Sequence, residues 1–286
     1  GTVAVDNEAP PPKRVWNLPS HNAETGGTSV LTSLLPGRRF PYPKSLYAVE
    51  DILRFFVSDL PDAVVLDFFA GSGTTAHAVM RLNRQDGGRR RAICVTNNEV
   101  SADEQAALRL AGLRPGDAEW EALGICEFIT KPRIQTAITG RRLDGEQVEG
   151  AYRYNDEFEM AEGFAANAEF FTLTYETPVA VNYDLAFARI APLLWLKAGA
   201  VGERIDALPE PGWGLVQTYG LIRDLDRATD FCAAVSASST VRYAYIITDD
   251  ERRYQSVSRQ LPDHVTAVRL YGAYLTNFRF VSGGAE

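Results

Sequence analysis

The spacing of apolar residues predicts strands and helices in alternation along the chain. The apolar run at residues 64–66 is typical of a strand buried on both faces of a parallel sheet. Residues 74–82 follow with helical spacing, and a second strand is expected at residues 92–96. Further helices are predicted at residues 46–56, 101–111 and 133–139. This order of elements predicts an α/β fold.

The second half of the chain continues the alternation after a strand at residues 169–175, expected to be the last of the first domain. Helices are predicted at residues 184–198, 226–235 and 250–260, and strands at 213–219, 243–248, 265–270 and 278–281. Such alternation indicates a mainly parallel sheet. Asp249 and Asp250 are interpreted as a helix cap and first turn. We expect a first domain over residues 1–180 and a smaller α/β domain over residues 181–286.

A glycine-rich turn joins the first strand to its helix. Gly71 and Gly73 permit a tight turn and leave room for a ligand to approach the backbone. The helix N-terminus offers unpaired N–H groups, which favour an anion such as a phosphate or a carboxylate. With Ala76, the glycines also satisfy the G-x-G-x-x-A pattern of dinucleotide-binding proteins. The turn alone therefore leaves two cofactor classes open.

Asp67, at the carboxyl end of the strand, separates these classes. Its carboxylate would repel a pyrophosphate but suits a ligand that carries both an ammonium and a carboxylate. S-adenosylmethionine is such a ligand. The segment resembles the D-x-F-x-G-S-G-T cofactor motif of DNA amino-methyltransferases. The resemblance implies that S-adenosylmethionine contacts Asp67, Phe69, Ala70, Gly71, Ser72, Gly73, Thr74 and Thr75.

The resemblance extends to both sides of this motif. Phe40, Lys44 and Ser45 lead into an apolar helix and look like the segment that lies beside the methionine moiety in the same family. At the end of the second strand, an acidic residue can accept hydrogen bonds from both ribose hydroxyls, and Glu99 is the candidate. Glu99 lies slightly further beyond the end of the second strand than expected for this role, so Asn98 is the alternative.

The order of these segments is similar to that in the C-terminal half of modification subunits of type III restriction systems. In that family a catalytic tetrapeptide, Asp-Pro-Pro-Tyr or a close variant, lies upstream and orients the flipped base. This chain has no such sequence, and its proline run at residues 9–13 lacks both the polar acceptor and the aromatic residue. We expect no catalytic residue here. The chain begins with Gly1, which fits a fragment. Because the tetrapeptide and a target-recognition region are absent, we expect the chain alone to transfer no methyl group to DNA.

The composition of the chain bears mainly on contact with DNA. The 286 residues carry a net charge of −8, whereas nucleic-acid affinity depends on a basic surface, so most DNA contact is expected outside this chain. The three cysteines show no metal-ligand spacing and are interpreted as buried free thiols, so no metal is expected. The chain has no apolar run long enough for a membrane and no signal peptide, which predicts a cytoplasmic protein without membrane contact.

Alternative functions remain open at this point. The acceptor of the full enzyme is expected to be the N6 amine of adenine, with N4 of cytosine as the alternative. An NAD-binding oxidoreductase fits the glycine spacing but not Asp67, and a non-catalytic module could keep the cofactor fold to dock a partner. The C-terminal domain is assigned to assembly or docking, and its aromatic candidates are Tyr271, Tyr274, Phe278 and Phe280. The partners considered are DNA, a second copy and a restriction subunit.

Overall fold

The computed structural model describes residues 15–173 and 187–270 of the chain. The chain divides into two compact units, Gly1–Phe170 and Phe171–Glu286, each with its own sheet and apolar packing. Both units combine helices with parallel strands, which confirms the predicted α/β class. Among the helices in the described ranges, none is long and apolar enough to cross a membrane.

The first unit combines helices with a two-stranded sheet. Its elements are α1 (Ser29–Leu34), α2 (Leu46–Val57), β1 (Val64–Asp67), α3 (Thr74–Asp86), β2 (Arg91–Cys94), α4 (Ala102–Leu110), α5 (Ala118–Glu121) and α6 (Lys131–Thr139). There are 3-10 turns at Pro19–His21 and Met160–Glu162, and π-helical turns at Glu24–Thr28 and Cys126–Thr130. Gly73 and Gly87 flank α3 with φ angles of 76° and 71°, a backbone conformation that favours glycine.

β1 and β2 are parallel, with Leu66 opposite Ile93. The prediction that β1 is buried on both faces is wrong. Val65 packs against the core of the unit, whereas Leu66 on the opposite face is 60% exposed and Ile93 is 47% exposed. This apolar face is uncovered in the part of the chain that the structure describes, although parallel strands usually have helices on both sides.

The covered side of the first unit contains a buried ion pair. Arg81 Nε donates to Glu50 Oε2 at 2.5 Å, and both side chains are buried. Arg54 and Gln85 donate to the other Glu50 oxygen. Burial alone would raise the pKa of Glu50, but Arg81 and these donors bring it below its ordinary value. The carboxylate therefore stays charged and ties α2 to α3.

The second unit contains a four-stranded sheet. Its elements are α7 (Phe187–Lys197), β3 (Trp213–Leu215), β4 (Tyr219–Ile222), α8 (Ala228–Ser236), β5 (Tyr243–Ile247), α9 (Glu251–Ser258) and β6 (Thr266–Leu270), with a 3-10 turn at Leu225–Arg227. The strand order is β3-β4-β5-β6, and β4, β5 and β6 are parallel, as predicted. Residues 213–219 are predicted as one strand, but β3 ends at Leu215 and β4 begins at Tyr219, and the two strands pair antiparallel.

Two further predictions are corrected. Residues 169–173, predicted as strand, have no regular secondary structure. Asp250, not Asp249, is the N-cap of α9, since its side chain accepts hydrogen bonds from the backbone N–H groups of Arg252 and Arg253. Several predictions lie outside the described residues: the proline run at 9–13, parts of the predicted elements at 174–175 and 184–186, the strand at 278–281, and the aromatics Tyr271, Tyr274, Phe278 and Phe280.

Candidate cofactor-binding site

The loop between β1 and α3 is held by its glycines and by hydrogen bonds at both ends. Gly71 and Gly73 have φ angles of 49° and 76°, and Gly73 N donates to Ala70 O at 2.8 Å. Ala70 N donates to Val95 O at 3.0 Å, which joins the loop to the chain just after β2. The loop is therefore fixed at the carboxyl edge of the parallel pair, where α/β sheets bind ligands.

Backbone N–H groups of this loop remain free for a ligand. The amides of Gly71, Ser72 and Thr74 donate to no other group within residues 15–173 and 187–270. They lie at the N-terminus of α3, where the helix dipole adds partial positive charge. This arrangement suits a carboxylate or a phosphate.

Asp67 ends β1 beside the loop with both carboxylate oxygens engaged. Oδ1 accepts a hydrogen bond from Phe69 N at 3.1 Å, and Oδ2 accepts one from Thr75 Oγ1 at 2.6 Å. Each oxygen retains a further lone pair for a ligand. The carboxylate thus has a fixed orientation near the free amides, while the Phe69 ring is exposed. Together these groups suit a ligand with both an ammonium and a carboxylate.

Ser72 and Thr74 turn their hydroxyls into the protein. Arg133 Nη1 donates to Ser72 Oγ at 3.0 Å and to Thr74 Oγ1 at 2.8 Å, and both residues are buried. Their side chains are therefore engaged by Arg133, whereas their backbone amides donate to no group in the described ranges. Arg133 and Thr130, whose Oγ1 donates to Gly71 O at 2.6 Å, were not predicted from sequence. No motif links them to a loop that precedes them by 59 to 61 residues.

The candidate residues upstream of the loop have different surroundings. Phe40 lies against the loop, since a Cβ on Gly71 would be 3.3 Å from its Cζ. Lys44 is exposed. Ser45 is buried at the N-cap of α2, and its hydroxyl donates to Ser20 O at 2.7 Å. The structure therefore brings Phe40 to the loop and gives the Ser45 side chain a capping role.

The two candidates after β2 have different surroundings. Asn98 Nδ2 donates to the side chain and to the carbonyl of Glu121, at 2.8 Å in both cases, and Asn98 Oδ1 accepts from Glu127 N. The Asn98 amide thus holds the region of α5. Glu99 is exposed, and its carboxylate accepts one long hydrogen bond, of 3.4 Å, from Asn97 Nδ2. Glu99 is therefore the candidate whose carboxylate is available to a ribose diol.

Next to the loop, α3 carries a buried histidine. His77 Nε2 lies 2.8 Å from the Tyr152 hydroxyl, and its ring packs edge-on against Tyr152 and Phe164. Burial, followed by the charges of Arg133 and Arg81, holds the pKa of His77 well below its ordinary value. The imidazole is therefore neutral, and its ring contributes to the packing of the first unit.

The site offers neither metal ligands nor a reactive thiol. No group of three His, Cys, Asp or Glu side chains in the described ranges could hold a metal ion. Burial, with a contribution from the Asp67 charge, raises the pKa of the Cys94 thiol to about 11, so the thiol is protonated at neutral pH. All three cysteines are free; Cys232 is buried, whereas Cys94 and Cys126 are half-buried.

The sequence pattern of the DNA methylase family matches residues 4–125. The EcoPI Mod subunit, a type III restriction-modification protein of Escherichia phage P1, is 42% identical over 89 residues, which are 31% of this chain and 13% of that protein. The type II methyltransferase M.KpnI of Klebsiella pneumoniae is 40% identical over 103 residues, 34% of this chain and 24% of that protein. The StyLTI Mod subunit of Salmonella typhimurium, also type III, is 37% identical over 104 residues, 36% of this chain and 15% of that protein.

The chain thus spans at most 24% of the length of these relatives. The segment matched by the family pattern contains β1, the loop, α3 and β2, and with them Asp67 and Glu99. Thr130 and Arg133 lie beyond it. The resemblance predicted from the motif residues to type III modification subunits is therefore confirmed.

Proposed function

We propose that this chain, whose residues 4–125 match the pattern of the DNA methylase family, is the S-adenosylmethionine-binding portion of a DNA N6-adenine methyltransferase of restriction-modification type. The observation that carries the proposal is the loop after β1, where Asp67 holds a carboxylate beside free backbone N–H groups. A fixed carboxylate next to an amide cradle complements the ammonium and carboxylate of an amino acid.

In this proposal the residues of the chain bind and orient the methyl donor. Asp67 accepts hydrogen bonds from the ammonium, the loop amides bind the carboxylate, and Glu99 accepts hydrogen bonds from the ribose hydroxyls. Phe40 supplies an apolar wall beside Gly71. When bound, the cofactor supplies an electrophilic methyl group on its sulfonium. A pyrophosphate in the same place would meet the Asp67 charge, which disfavours an NAD-dependent oxidoreductase.

The acceptor side of the reaction is assigned to sequence outside this chain. An adenine must leave the base stack and have its amine oriented, and the tetrapeptide that does so in the family is missing from residues 1–286. The uncovered face of β1 and β2 supports this division, because parallel strands need cover on both faces. N4 of cytosine is an equivalent exocyclic amine and is the alternative acceptor.

The second unit is assigned to assembly or partner docking. The strand end at Asp250, where an α/β sheet could bind a ligand, is instead occupied by a helix cap. We propose that the full protein contacts DNA mainly through the portion outside this chain, because the chain is acidic. A second copy and a restriction subunit are the other partners proposed, in the cytoplasm.

Calorimetric titration with S-adenosylmethionine, and separately with NAD, tests the cofactor assignment. Asp67→Asn keeps the side-chain shape and removes the charge, so it should weaken S-adenosylmethionine binding by about 1.5–3 kcal/mol. Asp59→Asn is the matched control, because Asp59 is an exposed acidic residue shortly before β1. Tighter binding of NAD, or unchanged S-adenosylmethionine affinity in Asp67→Asn, would contradict the assignment.

A methylation assay tests whether methyl transfer requires sequence outside this chain. The chain alone should transfer no methyl group to DNA, whereas a polypeptide that also contains the tetrapeptide-bearing portion should produce N6-methyladenine in DNA digests. N4-methylcytosine in the digests would favour the alternative acceptor. Methyl incorporation by the isolated chain above a control without enzyme would show that the division is wrong.

A further inference from the structure

We propose that Arg133, together with Thr130, positions the loop so that its N–H groups face the carboxylate of the cofactor. This inference rests on the proposed function, because it names residues that shape the same site. Three features support it: the direction of the loop carbonyls, the surroundings of Arg133, and the close approach of α6 to the loop.

The first feature is the direction of the loop carbonyls. Thr130 Oγ1 donates to Gly71 O at 2.6 Å, and Arg133 Nη1 donates to Ser72 O at 3.2 Å. Both donors come from the start of α6 and the turn before it. In a trans peptide the C=O and the following N–H point in opposite directions. A Gly71 carbonyl held toward α6 therefore directs the Ser72 N–H away from α6.

The second feature is that Arg133 is a buried cation whose hydrogen bonds go to the loop. Its Nη1 contacts the Ser72 carbonyl and the hydroxyls of Ser72 and Thr74, while Nε and Nη2 have no partner among the described residues. A guanidinium buried in this way costs free energy, because no carboxylate among these partners offsets the loss of hydration. Burial lowers the pKa of Arg133 to about 10, so the group is still charged at neutral pH.

This charge lies directly behind the loop. It adds to the partial positive charge at the N-terminus of α3, and the interior attenuates its field less than water would. An anion on the open side of the loop is therefore favoured by the free amides and by Arg133 together. The cost of burying Arg133 is then offset when the carboxylate binds.

The third feature is the close packing of α6 on the loop. A Cβ on Gly73 would lie 3.2 Å from Thr130 Cγ2 and 3.5 Å from Ile134 Cδ1. Glycine at position 73 therefore lets the helix approach closely enough for Arg133 to reach Ser72 and Thr74. The hydroxyls of Ser72 and Thr74 lie 3.1 Å apart and close a polar cluster around Arg133 Nη1.

Arg90 provides a matched comparison for a purely structural role. It is also a buried arginine of the first unit, and it donates to Val57 O at 3.0 Å and to Ser58 O at 2.9 Å. Arg90 precedes β2, so it lies at the end of the parallel pair opposite to the loop. Its removal should disturb packing to a similar degree without changing the loop.

Titration with two adenosine ligands tests the inference. S-adenosylhomocysteine carries the amino-acid moiety, and 5′-methylthioadenosine lacks it. Arg133→Met is expected to weaken S-adenosylhomocysteine binding about tenfold or more, and 5′-methylthioadenosine binding less than about twofold. Arg133→Lys, which keeps the charge, should recover part of the loss, and Arg90→Met should change neither affinity. An equal loss for both ligands, or no loss for S-adenosylhomocysteine, would overturn the inference.

Amide hydrogen exchange without ligand separates this inference from the proposed function. Ala70 N and Gly73 N form the hydrogen bonds that close the loop, so their exchange rates report its order. Arg133→Met should accelerate both rates about tenfold relative to Arg90→Met. If the parent chain binds neither adenosine ligand, the proposed function fails, and the exchange rates still decide the role of Arg133. Unchanged rates would exclude a positioning role.

Discussion

The sheets of the two units contain similar apolar strands in different surroundings. Every residue of β4 is buried, whereas β1 alternates between half-buried and exposed residues. Leu221 in β4 is fully buried, and Leu66 in β1 is 60% exposed. Because both are leucines in parallel strands, residue type does not account for the difference.

The difference arises from the elements that cover each sheet. In the second unit Leu221 and Tyr245 belong to one apolar cluster and Ile222 and Ile246 to another, so neighbouring residues of each strand are buried on opposite faces. In the first unit, one apolar cluster covers the face that contains Val65. A two-stranded sheet is only marginally stable without such cover. The comparison indicates that a strand of a parallel sheet is fully buried only when other elements pack on both faces of the sheet.

The largest expected effect concerns the covered side of the first unit. Glu50→Gln would leave the Arg81 guanidinium buried without its counter-charge, so it should lower the free energy of unfolding by about 3–5 kcal/mol. Urea denaturation followed by tryptophan fluorescence measures this. Asp226→Asn in the second unit is the control, because its ion pair with Arg253 is exposed and should contribute less than about 1 kcal/mol. Equal losses would mean that the buried pair is not what holds α2 to α3.

The same pair predicts a pH dependence. The pKa of Glu50 is below its ordinary value in the folded state, so its contribution is fully present above that ordinary value and is lost as pH falls through the folded value. Glu50→Gln should therefore flatten the acid side of the stability profile. A profile parallel to that of the parent chain would contradict the assignment.

A matched pair of leucine substitutions tests the two sheets directly. Leu221→Ala removes a fully buried side chain and should cost about 2–5 kcal/mol, whereas Leu66→Ala should cost less than about 1 kcal/mol. Denaturant unfolding of both variants gives the comparison. A loss for Leu66→Ala as large as that for Leu221→Ala would show that the β1 face is covered in solution.

His77 should make the first unit sensitive to mild acid. Its pKa in the folded state is well below 6.5, so below that pH the unfolded chain binds a proton that the folded chain does not. Stability should therefore fall as pH decreases from 6.5, by at most about 1.4 kcal/mol per pH unit. Thermal unfolding of His77→Gln should lack this slope. His264→Gln, at an exposed histidine of the second unit, should retain it.

The smallest expected change in the free energy of unfolding belongs to a substitution on the uncovered face of β1, which should instead change the binding of an apolar dye. Leu66→Lys places a charge on the uncovered face and should reduce binding of an apolar fluorescent dye, with a stability change within about 0.5 kcal/mol. Leu110→Lys is the control, because Leu110 is an exposed leucine on α4, outside the β1 and β2 face. Equal dye binding by the parent chain and Leu66→Lys would argue against an apolar patch on this sheet.

Prediction from the amino-acid sequence is correct where the signal lies within a few neighbouring residues. The apolar run of β1, the glycines on either side of α3 and the acidic end of β1 are local features, and the structure has the corresponding strand, helix and fixed carboxylate. It failed at the boundary between β3 and β4, because an apolar run does not reveal where a chain reverses direction. It also gave no indication of Arg133, since a charged residue in a helix normally predicts a solvent-exposed face.

The order of elements and the conformation of the glycine-rich loop after β1 could be predicted from the amino-acid sequence, because both depend on residues adjacent in the chain. Contacts between distant residues decided the remainder. The side chains of Ser45, Asn98 and Ser72 form hydrogen bonds with distant residues, which are Ser20, Glu121 and Arg133 respectively. Burial of a strand face likewise depends on which helices pack over it, and that information is spread over the whole fold. The apolar pattern predicted that both faces of β1 are buried, and only the folded structure shows that one face is exposed.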